Sequence, residues 1–271
     1  MTPRFRLPGR HPRSAGSGKS ARPGAPAPAA WLGATGLGAS ALLRLSFSTR
    51  EGSSHFYLLS TGLASTLAAG ALGAGPVEWC GEEWRGRPAS AARDLVVVPA
   101  LVGAATFAGF YGAARVVRHH PALRRAIASV FRYADKGSTP LIVLIAASGA
   151  VAEELFYHGA LWRGPLPLQS STLAYAASTA TAGNPALVLA SLVTSVIFGW
   201  QRAASGGVLA PAVAHVTWSV LMLRHIPPLF RDVPAERGPD SAGIDRVQAL
   251  NRENHPQGSE SRWLLRPRRS S

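Results

Sequence analysis

Cysteine is almost missing from this chain of 271 residues. Cys80 is the single one, which excludes an internal disulfide framework and a zinc site built from several thiolates. Acidic residues are scarce too. Fourteen of them face 28 basic ones, leaving a formal net charge of +14 carried almost wholly by arginine. In a soluble protein such an excess would point first to nucleic acid. Here the arginines sit in the tails and between apolar runs, where they meet anionic lipid headgroups and fix orientation. Anionic lipids are therefore expected partners, and nucleic acid is not.

Between about Ala29 and Phe230 charge of either sign is sparse, and the intervening stretches are long runs of Ala, Leu, Val, Gly and Ser. At about 1.5 Å per residue, roughly 20 apolar residues cross a bilayer core of about 30 Å. Apolar segments lie at about 29–47, 56–75, 93–114, 139–162, 171–182, 185–201 and 207–229. The pattern predicts an all-α fold, a polytopic transmembrane helical bundle of about six to eight spans in residues 29–229, integral to a membrane and expected in the plasma membrane. The segment 171–182 is too short to span alone and reads as a broken or re-entrant piece, tolerated only where protein or water surrounds it.

The connection from Arg115 to Lys136, with Arg118, Arg124, Arg125 and Arg132, is the most basic internal stretch. It predicts an amphipathic helix along the membrane surface on the cytoplasmic side. Three apolar segments separate it from the basic N-terminus, so either one of them does not span or the N-terminal tail is translocated. Residues 1–28 hold six basic residues and no acids among many Pro, Gly and Ser, and residues 230–271 mix arginine and acids with the same breakers. Both read as disordered tails. Gly16-Ser17-Gly18-Lys19-Ser20 imitates the end of a phosphate-binding loop, but Arg13 stands where that motif needs its first glycine, and no strand precedes it.

Within the apolar region three side chains call for an explanation. A charged group near the bilayer centre costs about 2.5–3.5 kcal/mol even on lenient insertion scales, yet Glu153 and Glu154 are adjacent in the run from Leu141 to Trp162. On a helix Glu154 and His158, at i and i+4, share a face. His215 lies inside the last apolar segment, with Ser219 one turn on. A carboxylate near water in a cavity could act as a general base, since burial strengthens an ionised carboxylate as a base. The alternatives are acids at a helix end facing headgroups and a histidine bonded into the packing.

Glu153-Glu154-Leu155-Phe156-Tyr157-His158-Gly159, then Gly183-Asn184-Pro185, then Leu209-Ala-Pro-Ala-Val-Ala-His215 together resemble the CPBP family, the CaaX-protease and bacteriocin-processing (Abi) intramembrane proteases. The resemblance covers about 139–229, with Gly199-Trp200 also fitting. The family's motifs are Glu-Glu followed by three residues and Arg; Phe, three residues, His; and His, three residues, Asn. The resemblance implies an endopeptidase in which a Glu and the second-motif His activate a water. By position Glu153 would be the general base, Glu154 its supporting acid and His215 an oxyanion donor, with Ser219 in the Asn place. His158 stands where Arg belongs and loses the bidentate fork. Tyr175-Ala-Ala-Ser-Thr179 is the expected second motif, putting Thr179 in the place of the water-holding His, although a threonine cannot take up a proton near neutral pH. No cofactor is expected. A metal ion is suggested only by what is known of the family, and three good ligands at sensible spacing are missing.

The leading expectation is thus an intramembrane hydrolase cutting a membrane-associated or lipidated peptide near the membrane surface. Two other classes stay open: a catalytically inactive relative that binds peptides or membrane helices as a scaffold, favoured by Thr179, and a small proton-coupled transporter using the Glu pair as a relay.

Overall fold

Apolar composition and proline placement together set the helix boundaries. In the computed structural model, which describes residues 29–82, 89–136 and 139–231, the helices are α1 (Ala29–Ser46), α2 (Ser54–Gly73), α3 (Ala89–Val117), α4 (Pro121–Lys136) and α5 (Thr139–Glu153), then α6 (Pro167–Ala180), α7 (Pro185–Ser205) and α8 (Leu209–His225). Between α5 and α6 run a π-helical segment, Glu154–Ala160, and a 3-10 turn, Leu161–Arg163. The described residues contain no strand. Proline opens α4, α6 and α7, a position where its missing N–H is not needed and its fixed φ is already helical. Asn184 caps α7 by accepting from the Ala186 and Leu187 amides at 2.9 and 3.4 Å, and Gly206, at φ 67°, ends it. The tails at 1–28 and beyond 231, with the Gly16–Ser20 string, lie outside the described residues.

Contacts distant in sequence give the helices their directions. Trp31 Nε1 donates to Gly70 O at 2.9 Å, Ser40 and Ser178 share a hydroxyl bond of 3.0 Å, and Arg163 donates to Ala74 O at 2.9 Å. One end of the bundle therefore gathers residues 74–82, 161–166 and 205–208. Three backbone bonds stitch it: Gly81 N to Ser205 O, Val208 N to Glu78 O and Leu209 N to Trp79 O, each 2.9 Å. Seven helices run back and forth between this end and the opposite one, and α4 lies across the opposite end. Among them Ser54–Gly73, Arg93–Val117, Thr139–Arg163 and Pro185–Ser205 are long and apolar enough to cross a bilayer. The chain is an integral membrane protein.

The structure refines several boundaries. The segment expected at 171–182 is a regular helix shifted toward the N-terminus, because Pro167 starts it and the turn at Gly183 (φ 69°) follows its end. Its 14 residues reach about 21 Å, short of a full crossing. The run 139–162 is not one α-helix; it widens into π-helix after Glu153. Three helices lie between Ala29 and Arg118, which places these residues at opposite ends of the bundle.

α4 turns Leu123, Ile127, Val130 and Phe131 toward the bundle interior. Asn184 Nδ2 holds it through Ala126 O at 2.8 Å and Ser129 Oγ at 2.9 Å, and Arg132 pairs with Glu51 at 3.3 Å. Tyr133 donates to Phe47 O and Thr49 O at 2.8 and 2.9 Å. Burial, and then the negative charge of Glu51, push its phenol up from the ordinary value, so it remains a donor at neutral pH.

α3 and α8 come close together at Gly103, where an added Cβ would stand 2.3 Å from Ala214 O, a backbone atom that cannot swing aside. Gly103→Ala is expected to destabilise the protein by about 1–3 kcal/mol through overpacking. Gly112 has nothing within 4 Å of such a Cβ, and Gly112→Ala should be neutral or stabilise by about 0.5–1 kcal/mol. Thermal unfolding of both variants in detergent checks the pair; equal midpoints would show that α3 and α8 do not meet at this glycine.

Candidate active site

The two carboxylates sit where α5 gives way to π-helix, with Glu153 closing the α-helical part and Glu154 opening the wider turns. Single π-helical stretches of this kind break the α-helical register and recur at functional sites. Here the stretch sends Glu153 and Glu154 to different surroundings. Glu154, Phe156 and His158 are almost completely buried, while the Glu153 side chain keeps 23% of its exposure.

Glu154 is a hub. Its Oε2 meets His158 Nδ1 at 2.5 Å, and its Oε1 meets His215 Nδ1, from α8, at 2.8 Å. An ionised carboxylate can only accept hydrogen bonds, so both imidazoles turn a protonated Nδ1 toward it. His158 Nε2 then accepts from Ser195 Oγ at 3.2 Å, and Ser195 shares a 3.1 Å bond with Thr172 Oγ1. Every group in this chain is buried. Charge-assisted bonds from two sides offset the desolvation of Glu154.

With Nδ1 committed to Glu154, His215 presents Nε2 to Glu153, 3.8 Å from its Oε2. That gap is too long for a direct hydrogen bond and admits a bridging water. Glu153 Oε2 also accepts a short hydrogen bond from the Tyr175 hydroxyl. The Tyr175 ring stacks on Tyr157, with centroids 4.6 Å apart. On the other side of the imidazole, Phe198 packs its ring 5.0 Å from His215 and Trp218 lies at 5.6 Å.

Glu153 and His215 face a cavity of about 910 Å³, also bordered by Tyr175, Thr179, Trp218 and Ser219. The structure thus brings Glu153, Glu154, His158 and His215 together. Ser219 lines the same cavity one turn beyond His215. The Thr179 hydroxyl is engaged with Tyr175 O at 3.1 Å and Ser191 Oγ at 2.8 Å, and no hydrogen bond joins it to Glu153 or His215. Sequence reasoning passed over Tyr175 as a partner of Glu153, and Arg202 altogether. The signal for Arg202 was present: Phe198-Gly199-Trp200-Gln201-Arg202 carries the literal phenylalanine of the second motif, with arginine in the histidine place. Phe198 is the residue that touches His215. Arg202 points away from the cavity: buried, it donates through Nε to His158 O at 2.9 Å and through Nη2 to Glu78 Oε2 at 2.7 Å.

These side chains do not fit a metal ion. Both Nδ1 atoms are spent on Glu154 instead of converging on a common centre, and no group of three or more His, Cys, Asp or Glu among the described residues is arranged to hold one.

Comparison with known proteins adds one match. Residues 135–221 fit the family model of the type II CAAX prenyl endopeptidase Rce1-like proteins, in agreement with the CPBP resemblance. That segment contains all the residues that converge at the site. No curated protein and no solved structure matches the chain.

Arg202 ties the π-helical segment to the loop carrying Glu78, and its removal takes away a donor to the buried His158 carbonyl. Arg202→Met is expected to lower stability by about 1.5–3 kcal/mol. Arg202→Lys should recover only part of this, because a point charge cannot serve both acceptors as the guanidinium fork does. Glu78 is 61% exposed, so Glu78→Gln should cost under about 1 kcal/mol. Denaturation of the three variants in detergent tests the order.

Proposed function

Proceeding from an Rce1-like segment that holds every converging acid and imidazole, we propose that the chain hydrolyses a peptide bond of a membrane-associated peptide with a water activated by Glu153. The observation that carries this reading is the 3.8 Å gap between Glu153 Oε2 and His215 Nε2 on the cavity wall. A water in that gap donates to Glu153 Oε2, accepts from the His215 Nε2–H and turns its remaining lone pair toward the cavity.

Glu153 takes a proton from the water as its oxygen attacks the peptide carbonyl carbon. The new C–O bond leaves negative charge on the former carbonyl oxygen. His215 stabilises that oxyanion when Nε2 is protonated, a form the Glu154 carboxylate favours by ion pairing at Nδ1. The proton held by Glu153 passes to the amide nitrogen, the C–N bond breaks, and a carboxylic acid and an amine leave. Glu154 is not consumed; it holds the tautomer and ring orientation of His215, as the buried carboxylate of a hydrolytic triad does. Tyr175 holds the Glu153 carboxylate in place through its hydroxyl.

A second reading, peptide binding without cleavage, is favoured by one observation: the second-motif histidine has no counterpart in the cavity, since Thr179 is engaged with Ser191 and Arg202 points away. The two readings part on turnover.

Removal of a general base is expected to lower turnover by about 10²–10⁴-fold. Glu153→Gln should do so in liposome-reconstituted protein while peptide binding is kept; identical hydrolysis by parent and variant would remove Glu153 from the chemistry. Tyr175→Phe takes away the donor that holds the Glu153 carboxylate in place. Turnover should fall by up to about 10²-fold while peptide binding is kept. Turnover equal to the parent's would give Tyr175 a packing role only.

A further inference from the structure

Buried hydrogen-bond donors in a folded chain almost always find an acceptor, and an indole nitrogen is a donor only. Trp31 follows this rule, donating to Gly70 O at 2.9 Å, while Trp79 and Trp200 are exposed. Trp218 departs from it. Its Nε1 is shut off from solvent and has no hydrogen-bond partner among the described residues.

The place of this donor gives it meaning. Trp218 follows His215 by three positions on α8, so the two side chains are neighbours on one helix face, with ring centroids 5.6 Å apart. It borders the same cavity as Glu153 and His215. From α3, Phe110 meets the indole at 68° with centroids 5.3 Å apart, and an aromatic face is a weak acceptor for an N–H group. The torsion that aims an indole ring has a broad minimum, and no hydrogen bond restrains this one. A modest turn of the ring presents the N–H to an acceptor inside the cavity.

That acceptor has to come from the occupant. The hydrocarbon chain of a lipid offers none. A peptide main chain offers a carbonyl oxygen at every residue, about 3.3–3.6 Å apart when extended, and each loses water on entering. The 5.6 Å between the two rings spans one to two such residues. Resting on the hydrolase reading for the identity of the occupant, we infer that the Trp218 indole N–H donates to a main-chain carbonyl oxygen of the bound peptide, within two residues of the bond presented to Glu153 and His215. Trp218 is thus a substrate-positioning residue. It sets the register of the peptide and favours a main chain over the acyl chains that compete for an apolar cavity. The proton transfers stay with Glu153.

The test uses full-length protein in detergent micelles with Glu153→Gln, which holds the peptide uncleaved. The probe is a dansyl-labelled apolar peptide carrying a hydrocarbon chain on one cysteine. Trp218 is compared with benzothienylalanine at the same position, introduced by nonsense suppression, which keeps ring size and stacking and replaces the N–H by sulfur. Loss of one hydrogen bond is expected to weaken peptide binding about tenfold, with the thermal midpoint unchanged. Trp218→Phe, which also lacks the N–H, should weaken binding in the same direction. In isotope-labelled protein the indole proton resonance that the isostere lacks should move downfield when peptide is added. Equal binding by Trp218 and its isostere overturns the inference, as does a resonance that stays in place or a peptide that fails to bind. A lower thermal midpoint in the isostere would show the N–H already bonded within the protein and overturns it too. Hydrolysis is scored separately with Glu153 restored. Weaker binding by the isostere and a shifted resonance without turnover leave the Trp218 contact standing and remove the hydrolase reading. Turnover with the same KM for Trp218 and the isostere does the reverse.

Discussion

A carboxylate buried in the middle of a helical membrane bundle has to be compensated, and the double hydrogen bond of Glu154 to His158 and His215 does this. The desolvation of an unpaired ion in such surroundings is large. The pairing therefore constrains much of what lies around it. It requires a histidine one turn along the π-helical segment and another from α8, and it requires α8 to stand at a fixed distance from α5. Gly103 allows that approach by leaving room for the Ala214 carbonyl next to His215. Ser195 and Thr172 complete the far side, so the polar chain runs from α6 through α7 and the π-helix to α8.

The same pairing separates two adjacent glutamates into different tasks. Glu154 is spent on structure and on the orientation of His215. Glu153 is left at the cavity edge with one phenol donor and an imidazole nitrogen across a water-sized gap. Two neighbouring residues of like charge could not both be buried without partners. The change from α- to π-helix between them resolves this by turning one inward and one toward solvent space. Arg202 adds a third support from outside the cavity, holding the His158 carbonyl and so the register of the π-helical turns.

Function at this site follows from contrast in polarity. A small polar pole, Glu153, His215 and Ser219, borders a long apolar space capped by α4. The proposed hydrolysis uses water in the first region and desolvation of the substrate in the second. Arg132, Arg163 and Arg202 are held at the two ends of the bundle, by Glu51, by Ala74 O, and by His158 O and Glu78.

Much of this was legible in the sequence. Apolar runs without charge gave helices and a membrane, since no other backbone arrangement satisfies its hydrogen bonds there apart from a closed barrel. Glu153, Glu154 and His215 stood out because charge in such runs is costly, and the i, i+4 spacing put His158 with Glu154. Tyr175 and Arg202 were not visible in this way: a tyrosine on a helix face and an arginine near a helix end are ordinary residues until a distant partner is known. The place of Thr179 in the motif came from spacing counted from Tyr175, whereas the ring that packs on His215 is that of Phe198. Composition and local periodicity, being properties of neighbours in the chain, determined fold class and the candidate acids. Tertiary structure alone decided which nitrogen of His215 meets which carboxylate, because that depends on how closely α3, α5 and α8 pack, and hence on contacts such as that of Gly103 with Ala214, more than a hundred positions apart.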